Sequence, residues 1–423
     1  MRSPLREKLD RRLLRPRALG SRLSKVAQLA ATPAFSALRA ALQAQRARII
    51  AEAVAIQQIA APTFEEAQRA AYVQARLSAL PALDPNSLAV DDLHNVYACL
   101  RGSDSARPAV LVSAHTDTVF SRQTSLSVRQ GDDVICGAGI GDNSLGVAAL
   151  IATAELLARS QVRLPADIWF VANSREEGLG NLEGIRAVYA RLSERLGCAI
   201  VIEGMALGHV YIGGIAVKRL RIACHTEGGH SWLHFGRPSA IHHLMRLGAQ
   251  IAALHPPETP RTTYNIGVIE GGRSVNTIAS EAALLLDLRS ETREGLAALE
   301  RSILNLIELN RTNGVRFEVT TVGERPAGSL PRDHPLAQLA QETLAYLGIP
   351  PILEHGSTDA NALLAHGFPA VTIGITRGGN AHREDEFIEV APIVDGIWQL
   401  ILLIGAAAHL PEDSFSSFVR QNF

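Results

Sequence analysis

The sequence predicts an α/β protein in which a mostly parallel, doubly wound domain is interrupted by an inserted ferredoxin-like α+β domain. Short apolar runs alternate with helical segments in the first half of the chain, and this alternation returns near the end. Between them, residues 213–322 follow the order strand, helix, strand, strand, helix, strand. A length of 423 residues agrees with this division, because domains average roughly 150 residues.

Residues 1–34 are predicted to form a basic extension. Nine Lys and Arg side chains between Arg2 and Lys25 face only Glu7 and Asp10, and the apolar stretch of a secretory signal does not follow. Such a composition is also found in transit peptides and nucleic-acid-binding arms. A solvated extension is the favoured interpretation.

The doubly wound domain is predicted in two parts, residues 35–212 and 323–423. Helical periodicity covers 35–60 and 68–80. Fully apolar runs then indicate strands that are buried on both faces, as in parallel sheets. These strands are predicted at 109–113, 167–172, 198–202 and 369–375, with helices at 145–158, 182–196 and 359–365.

The inserted domain has a different rhythm, with longer strands that pair around two amphipathic helices. The α/β pattern resumes after it, so we predict an insertion rather than a third domain in series. Its strands are predicted at 218–224, 262–269, 282–288 and 315–320, and its helices at 240–254 and 295–309.

The composition argues against several classes of protein. With 41 Lys and Arg against 42 Asp and Glu, the net charge is −1, unlike a protein that binds nucleic acid or a membrane surface. The most apolar stretch, 397–408, is shorter than the roughly 20 residues of a membrane span. Four cysteines without paired spacing indicate a reduced, cytoplasmic protein.

Carboxylates and imidazoles follow the predicted strands at their carboxyl ends. Ligands of an open α/β sheet bind beyond these ends, so we expect the side chains in one crevice. The residues are His115 with Asp117, Glu176 with Glu177, Glu203, His382, and Asp142 in a glycine-rich turn before a helix.

These residue types are typical of a metal centre. Imidazole nitrogen and carboxylate oxygen without cysteine suit Zn²⁺, Mn²⁺ or Co²⁺, and the number of ligands fits two ions with a bridging carboxylate. The glycines around Asp142 let its backbone approach both ions. Asp117 is placed to accept the N–H of His115. Of the adjacent Glu176 and Glu177, one would bind metal and the other would take a proton from the attacking water.

The motifs around these residues resemble the dinuclear zinc exopeptidases and deacylases. This family includes carboxypeptidase G, peptidase T, aminoacylase, acetylornithine deacetylase and succinyl-diaminopimelate desuccinylase. The resemblance extends from about Ala51 to about Ala407. The matching motifs are SAHTDTV at 113–119, GAGIGDNSLGVAAL at 137–150, NSREEGLGN at 173–181, VIEG at 201–204 and GNAHREDEFI at 379–388.

The resemblance implies two divalent metal ions, zinc first, with cobalt or manganese as alternatives. His115, Asp142 and Glu203 would bind one ion or both, with Asp142 as the bridge. Glu177 and His382 would complete the shell of the other ion.

The family likeness also assigns the remaining roles at this centre. Glu176 would be the general base, and the Asp142–Asn143 peptide would be cis. Two positions depart from the family pattern, namely Ser144 after the Asp-Asn pair and Trp232 in the motif of the inserted domain. The first leaves the predicted metal ligands intact, and the second bears on substrate size.

In the resembling family the inserted domain is a lid and usually the dimer interface, so we expect a homodimer. His230 occupies the position of a lid histidine that reaches the substrate carbonyl oxygen, often in the partner subunit's site. Asn276 and Arg289 match lid positions that contact substrate.

We expect a metal-dependent peptidase that hydrolyses short peptides, with an N-acyl-amino-acid deacylase as the alternative. Glu203 is more frequent in carboxypeptidases and deacylases of the family, whereas GSTDAN at 356–361 resembles the peptidase T branch, so the substrate class stays open. A nucleotide-binding oxidoreductase is disfavoured because Asp142 stands where that fingerprint needs glycine. The complete ligand set disfavours a non-catalytic protein.

Overall fold

The computed structural model describes residues 24–415. Before the insertion the chain forms mainly buried helices and strands. In order they are α1 (Lys25–Ala30), α2 (Pro33–Ala44), α3 (Arg46–Gln57), α4 (Ala67–Ser78), β1 (Ala89–Val90), β2 (Val96–Leu100), β3 (Ala109–His115), β4 (Arg129–Gln130), β5 (Val134–Cys136), α5 (Leu145–Arg159), β6 (Ile168–Asn173), α6 (Glu183–Leu192), β7 (Leu196–Glu203) and β8 (His209–Gly214).

The rest of the chain forms the inserted domain and then returns to the first domain. The inserted elements are β9 (Ala216–His225), β10 (Gly229–His230), α7 (Ala240–Ala252), β11 (Thr262–Gly271), β12 (Thr277–Ile278), β13 (Glu281–Ser290), α8 (Arg293–Leu309) and β14 (Arg316–Arg325). The final elements are β15 (Gly328–Ser329), α9 (Pro335–Tyr346), β16 (Ile352–Gly356), α10 (Ala360–Leu364), β17 (Ala370–Gly374), β18 (Gly378–Gly379), β19 (Phe387–Glu389) and α11 (Ile393–Ala408).

The central sheet has the order β1-β2-β6-β3-β7-β17-β8-β15, and β16 pairs with β8. Its middle strands β6, β3, β7 and β17 are mutually parallel, while β2 runs antiparallel to β6 and β8 runs antiparallel to β17. β16 lies parallel to β8. Helices cover both faces, so the residues of β3 and β6 are buried throughout. This confirms the predicted fold class and brings the carboxyl ends of β3, β6, β7 and β17 to one edge.

The inserted domain has an antiparallel sheet of order β11-β13-β9-β14 packed against α7 and α8. This is the ferredoxin-like arrangement that the sequence predicts. It has its own apolar core, which includes Leu220, Leu244 and Ile303. Its strands lie between Ala216 and Arg325, slightly later in the chain than the predicted boundaries of 213 and 322.

The predicted basic extension ends earlier than expected. Residues 1–23 lie outside the described part of the chain, but the following residues form α1 and the start of α2. α1 packs against α9 and α11, and its Val26 side chain is fully buried. The surrounding basic residues hide this short apolar pattern in the sequence. Packed structure therefore begins before residue 35.

Two apolar helices form the centre of the first domain. The segment Ile140–Arg159 is long and apolar enough to cross a membrane by length and composition, but nearly all of it is buried inside the protein. α11 is likewise buried over almost its whole length. The apolar character of both helices is thus accounted for by the core that they form.

We predict that Gly396→Ala destabilises the protein, because a Cβ at this position of α11 would overlap the carbonyl oxygen of Ile375. The free energy of unfolding should fall by about 1–3 kcal/mol, as for other overpacked cores. Denaturant unfolding followed by far-ultraviolet circular dichroism measures this change.

Gly248→Ala in α7 is the matched control, since its Cβ would meet only Ile266 Cδ1 at 3.7 Å. Alanine there should stabilise the inserted domain by up to about 1 kcal/mol through helix propensity. Equal stability of Gly396→Ala and the wild type would contradict the tight packing of α11 on Ile375, the residue that follows β17.

Candidate metal centre

The predicted ligands meet at the carboxyl edge of the central sheet. His115 is the last residue of β3, and Glu203 is the last residue of β7. Glu177 follows β6, and His382 follows β17 and β18. Asp142 lies in the turn Ile140–Ser144, directly before α5. The fold therefore brings together the residues that the strand ends in the sequence point to.

The first half of the cluster surrounds His115. Its Nε2 lies 3.1 Å from Asp142 Oδ1 and 3.5 Å from Glu203 Oε2. The imidazole is 1% exposed, so it is shielded from bulk water.

The second half surrounds His382. Its Nε2 lies 3.2 Å from Asp142 Oδ2 and 3.3 Å from Glu177 Oε1. The two oxygens of Asp142 thus face two different imidazoles, as the bridging role requires. The His382 side chain is 56% exposed, so the cluster opens to solvent on this side.

The donor set fits divalent cations. Ligand atoms of His115, Asp142 and Glu177 all lie within 4.8 Å of one another. Burial, followed by the charge of Asp142, raises the pKa of Glu177 to about 8. Burial is also the main cause that raises the pKa of Glu203 to about 7. Buried carboxylates in such proximity are costly without a compensating charge, and a cation between them supplies it.

The neighbouring carboxylates also raise the pKa values of both histidines. Hydrogen bonding to Asp142 and then Glu177 raises the pKa of His382 to about 10. Burial alone would lower the pKa of His115, but its carboxylate neighbours, including Asp117, raise it well above the usual value. A metal ion would replace the protons that these imidazoles otherwise attract.

Asp117 accepts hydrogen bonds from residues that adjoin the ligand cluster. The main-chain amides of Glu176 and Glu177 donate to its Oδ1 and Oδ2 at 2.9 and 2.8 Å, and Thr63 Oγ1 donates at 2.9 Å. His115 Nδ1 lies 3.2 Å from the Asp117 carbonyl oxygen and 3.5 Å from its Oδ1. Asp117 therefore contacts both the imidazole of His115 and the Glu176–Glu177 segment.

Glu386 is a supporting residue that the sequence analysis did not identify. Its Oε1 accepts hydrogen bonds from the amides of Gly141 and Asp142 at 2.6 and 2.8 Å. The side chain is fully buried, and burial raises its pKa to about 7. It joins the segment that follows His382 to the turn that carries Asp142. Its place four residues after His382 was the available signal.

The turn around Asp142 has the geometry that the family likeness implies. The Asp142–Asn143 peptide is cis. Asn143 Nδ2 donates to the carbonyl oxygen of Ile202 at 2.8 Å, which ties the turn to β7. Ser144, which departs from the family pattern, donates its hydroxyl to the Gly139 carbonyl oxygen and leaves the ligands untouched.

The predicted general base, Glu176, lies beside the ligands but faces a cation of the chain itself. Arg325 Nη1 donates to Glu176 Oε1 at 2.7 Å. Burial alone would lower the pKa of Arg325, but Glu176, Glu177 and Asp359 raise it. No signal in the sequence marks Arg325, because it ends a strand of the inserted domain outside every motif.

The predicted substrate residues lie in the inserted domain. His230 is exposed in β10, and its neighbour Ser231 donates to the Asn276 carbonyl oxygen at 3.0 Å, so these two segments are adjacent. Arg289 on β13 pairs with Asp287 at 2.6 Å. Among residues 24–415, no hydrogen bond or ion pair joins His230 to the ligand cluster of its own chain.

Known proteins resemble this chain in sequence. The model of Peptidase family M20/M25/M40 matches residues 111–404. A probable carboxypeptidase of Arthroderma otae is 23% identical over 248 residues, which cover 54% of each chain, so the match spans about half of that relative. An N-formyl-4-amino-5-aminomethyl-2-methylpyrimidine deformylase of Halalkalibacterium halodurans is 26% identical over 364 residues, covering 75% of this chain and 83% of the relative.

Solved structures share the fold. The aminopeptidase PepT of Bacillus cereus superposes with a TM-score of 0.67 at 19% identity, covering 86% of this chain and 99% of the other. The YXEP protein of Bacillus subtilis, a dinuclear metal binding peptidase from the M20 family, gives 0.63 at 18% identity, with coverages of 87% and 99%. Together with the match over residues 111–404, this places the chain in peptidase family M20/M25/M40, a family of hydrolases.

Proposed function

We propose that the protein is a dinuclear metal-dependent peptidase that hydrolyses short peptides. The observation that carries this proposal is the bridging position of Asp142, whose two oxygens lie 3.1 and 3.2 Å from two different imidazoles. One carboxylate shared between two nitrogen donors is the arrangement that two-metal hydrolases use.

His115 and Glu203 would hold one ion, His382 and Glu177 the other, and Asp142 both. Zinc is the ion that we propose first, with cobalt or manganese as alternatives, because the donors are imidazole nitrogen and carboxylate oxygen. When bound, the ions supply Lewis acidity toward the scissile carbonyl and a lowered pKa for water.

Glu176 would take the proton from the attacking water and pass it to the leaving amine. It is adjacent in sequence to the ligand Glu177, yet its carboxylate has no hydrogen bond or ion pair to His115 or His382 among the described residues. A carboxylate that lies beside the ligands and outside their shell suits a general base. Asp117 fixes the backbone of both glutamates and so acts as a positioning residue.

His230 would stabilise the oxyanion. The amides of Trp232 and Leu233 lie 3.2 and 3.5 Å from its Nδ1, which makes Nδ1 an acceptor. In the neutral imidazole the proton then resides on Nε2, which becomes the donor that an oxyanion needs. Asn276, beside this turn, and Arg289 would contact the substrate.

The inserted domain would serve as lid and as the interface of a homodimer. β11 is an edge strand with exposed Val268 and Ile269, and such an edge is open to pairing with a second copy. The turn after His230 exposes Trp232 and Phe235, which are 83% and 91% exposed in the single chain. A partner subunit would cover such side chains and receive His230 in its own site.

The relatives support a peptidase first and a deacylase as the alternative. Solved structures with this fold include the aminopeptidase PepT, and a relative is named a probable carboxypeptidase. The alternative is an N-acyl-amino-acid deacylase. It is favoured by the similarity to a deformylase whose alignment covers three quarters of this chain. Both reactions break an amide bond, so the same residues would perform either.

We infer a reducing compartment, the cytoplasm. Cys99, Cys136, Cys198 and Cys224 are all free thiols, and three of them are buried. Burial raises the pKa of Cys198 to about 12, so this thiol stays protonated and unreactive.

Metal analysis tests the shared ligand. The wild type should bind two zinc ions per chain, His382→Ala one, and Asp142→Ala fewer than one, because Asp142 serves both ions. Elemental analysis after dialysis against limiting zinc measures these ratios. His209→Ala is the matched control, since His209 pairs with Glu354 on the surface at 3.0 Å and should keep two ions. Equal zinc content of Asp142→Ala and the wild type would refute the bridge.

Hydrolysis assays test the base and the substrate class together. The zinc-loaded wild type should cleave dipeptides and tripeptides faster than N-acyl amino acids. Glu176→Gln should lower kcat at least about 100-fold with zinc content unchanged, because the amide cannot take the proton. Glu183→Gln, an exposed glutamate paired with Arg175, is the control and should be fully active. Preference for N-acyl amino acids would favour the deacylase.

Subunit complementation tests the dimer. Glu176→Gln and His230→Ala should each be inactive alone, while their co-expressed mixture should regain up to about a quarter of wild-type activity. This happens because one site of each mixed dimer combines an intact Glu176 with the partner's intact histidine. A histidine that acts within its own subunit would give no recovery, and light scattering would report a monomer if the interface is absent.

A further inference from the structure

The carboxylate of Glu176 is held by a side chain of the inserted domain. Arg325 is the last residue of β14 and is 3% exposed. Its Nη1 donates to Glu176 Oε1 at 2.7 Å, and its Nη2 donates to the Glu176 carbonyl oxygen. One guanidinium thus fixes both the side chain and the backbone of the same residue.

Arg325 is in turn fixed from the first domain. Its Nη1 also donates to Ser357 Oγ at 2.9 Å, and Asp359 lies close enough to raise the pKa of Arg325. Asp359 is fully buried and accepts a hydrogen bond from Asn173 Nδ2 at 2.7 Å. The GSTDAN segment, which the sequence analysis singled out, therefore supports Arg325 rather than the metal ligands.

The inserted domain holds the adjoining loop as well. Arg219 on β9 donates to the Gly178 carbonyl oxygen, and the amide of Glu324 donates to Asn181 Oδ1 at 2.8 Å. Arg186 at the start of α6 donates to the Glu324 carbonyl oxygen at 2.9 Å. The segment 176–181 is thus bonded to the sheet of the inserted domain at several points, and Arg325 is the contact that reaches the carboxylate.

We propose that Arg325 is a positioning residue for Glu176, and that through it the orientation of the inserted domain sets the position of the base. This inference rests on the proposed function, in which Glu176 takes the proton. A glutamate has several rotatable bonds, and a paired, rigid guanidinium fork removes that freedom. Because a displacement of about 1 Å at a catalytic group can cost 100-fold in rate, movement of β14 would change turnover.

Kinetics of Arg325→Ala test the positioning role. We expect kcat to fall about 100-fold, KM to change less than about threefold, and zinc content to stay at the wild-type value. Free guanidinium at about 50 mM should raise the kcat of Arg325→Ala at least tenfold. Arg325→Lys should retain more activity than the alanine variant. Arg186→Met, which removes a contact of the same loop without touching the carboxylate, should keep wild-type kcat.

Each contrary result has a distinct meaning. Unchanged kcat in Arg325→Ala would overturn the proposal, as would a rise in KM alone, which indicates substrate binding instead. Loss of zinc in this variant would make Arg325 a structural residue and also overturn it. A wild type that carries zinc but hydrolyses no compound of the panel would instead refute the proposed function.

Fluorescence resonance energy transfer between two labels tests whether the contact between Arg325 and Glu176 is coupled to the orientation of the inserted domain. It does so without a hydrolysis assay. The labels are placed at Glu308→Cys on α8 and Ala345→Cys on α9, both exposed, in a Cys136→Ser background. Arg325→Ala and Glu176→Gln should shift the transfer efficiency in the same direction, and the double variant should shift it no further. Efficiencies equal to that of the labelled parent would overturn the coupling.

Discussion

The site depends on the fixed position of one carboxylate, that of Asp142, between two imidazoles from different parts of the chain. Such a carboxylate faces both imidazoles only if its turn is held in place. Glu386 joins the turn to the segment of His382, and Asn143 joins it to β7, which ends at Glu203. The turn also leads directly into the buried helix α5, so its position is anchored in the core.

The close, buried carboxylates that would attract a metal ion also destabilise the folded protein. The raised pKa values of Glu177 and Glu203 show that burial and neighbouring charge disfavour their ionised forms. Two neighbouring carboxylates are stabilised by partners of their own. Asp117 accepts hydrogen bonds from main-chain amides, and Glu176 is paired with Arg325. Asp117 and Glu176 thus have partners outside the cluster. Within the described residues, the ion pairs of Asp142, Glu177 and Glu203 are with the two histidines His115 and His382.

The site residues at strand ends were predictable from the sequence. The residues that hold them from distant parts of the chain were not. Fully apolar runs mark β3 and β7 as buried parallel strands, so their terminal His115 and Glu203 had to share an edge. Arg325 reaches Glu176 only because β14 pairs with β9 over the site, which no local pattern encodes. Val26 was missed for another reason, since the basic residues around it outweigh one short apolar helix.

In the proposed site, one short segment would supply both a metal ligand, Glu177, and the general base, Glu176. Glu177 has extended backbone torsions of −79° and 152°, and successive side chains of extended chain point to opposite sides. Glu177 therefore turns toward His382, and Glu176 turns toward Arg325. In the proposed site, Arg325 of the inserted domain would thereby hold Glu176 outside the metal shell. A carboxylate left without that cation would be free to rotate into the metal shell, where it would serve as a sixth ligand residue instead of a base.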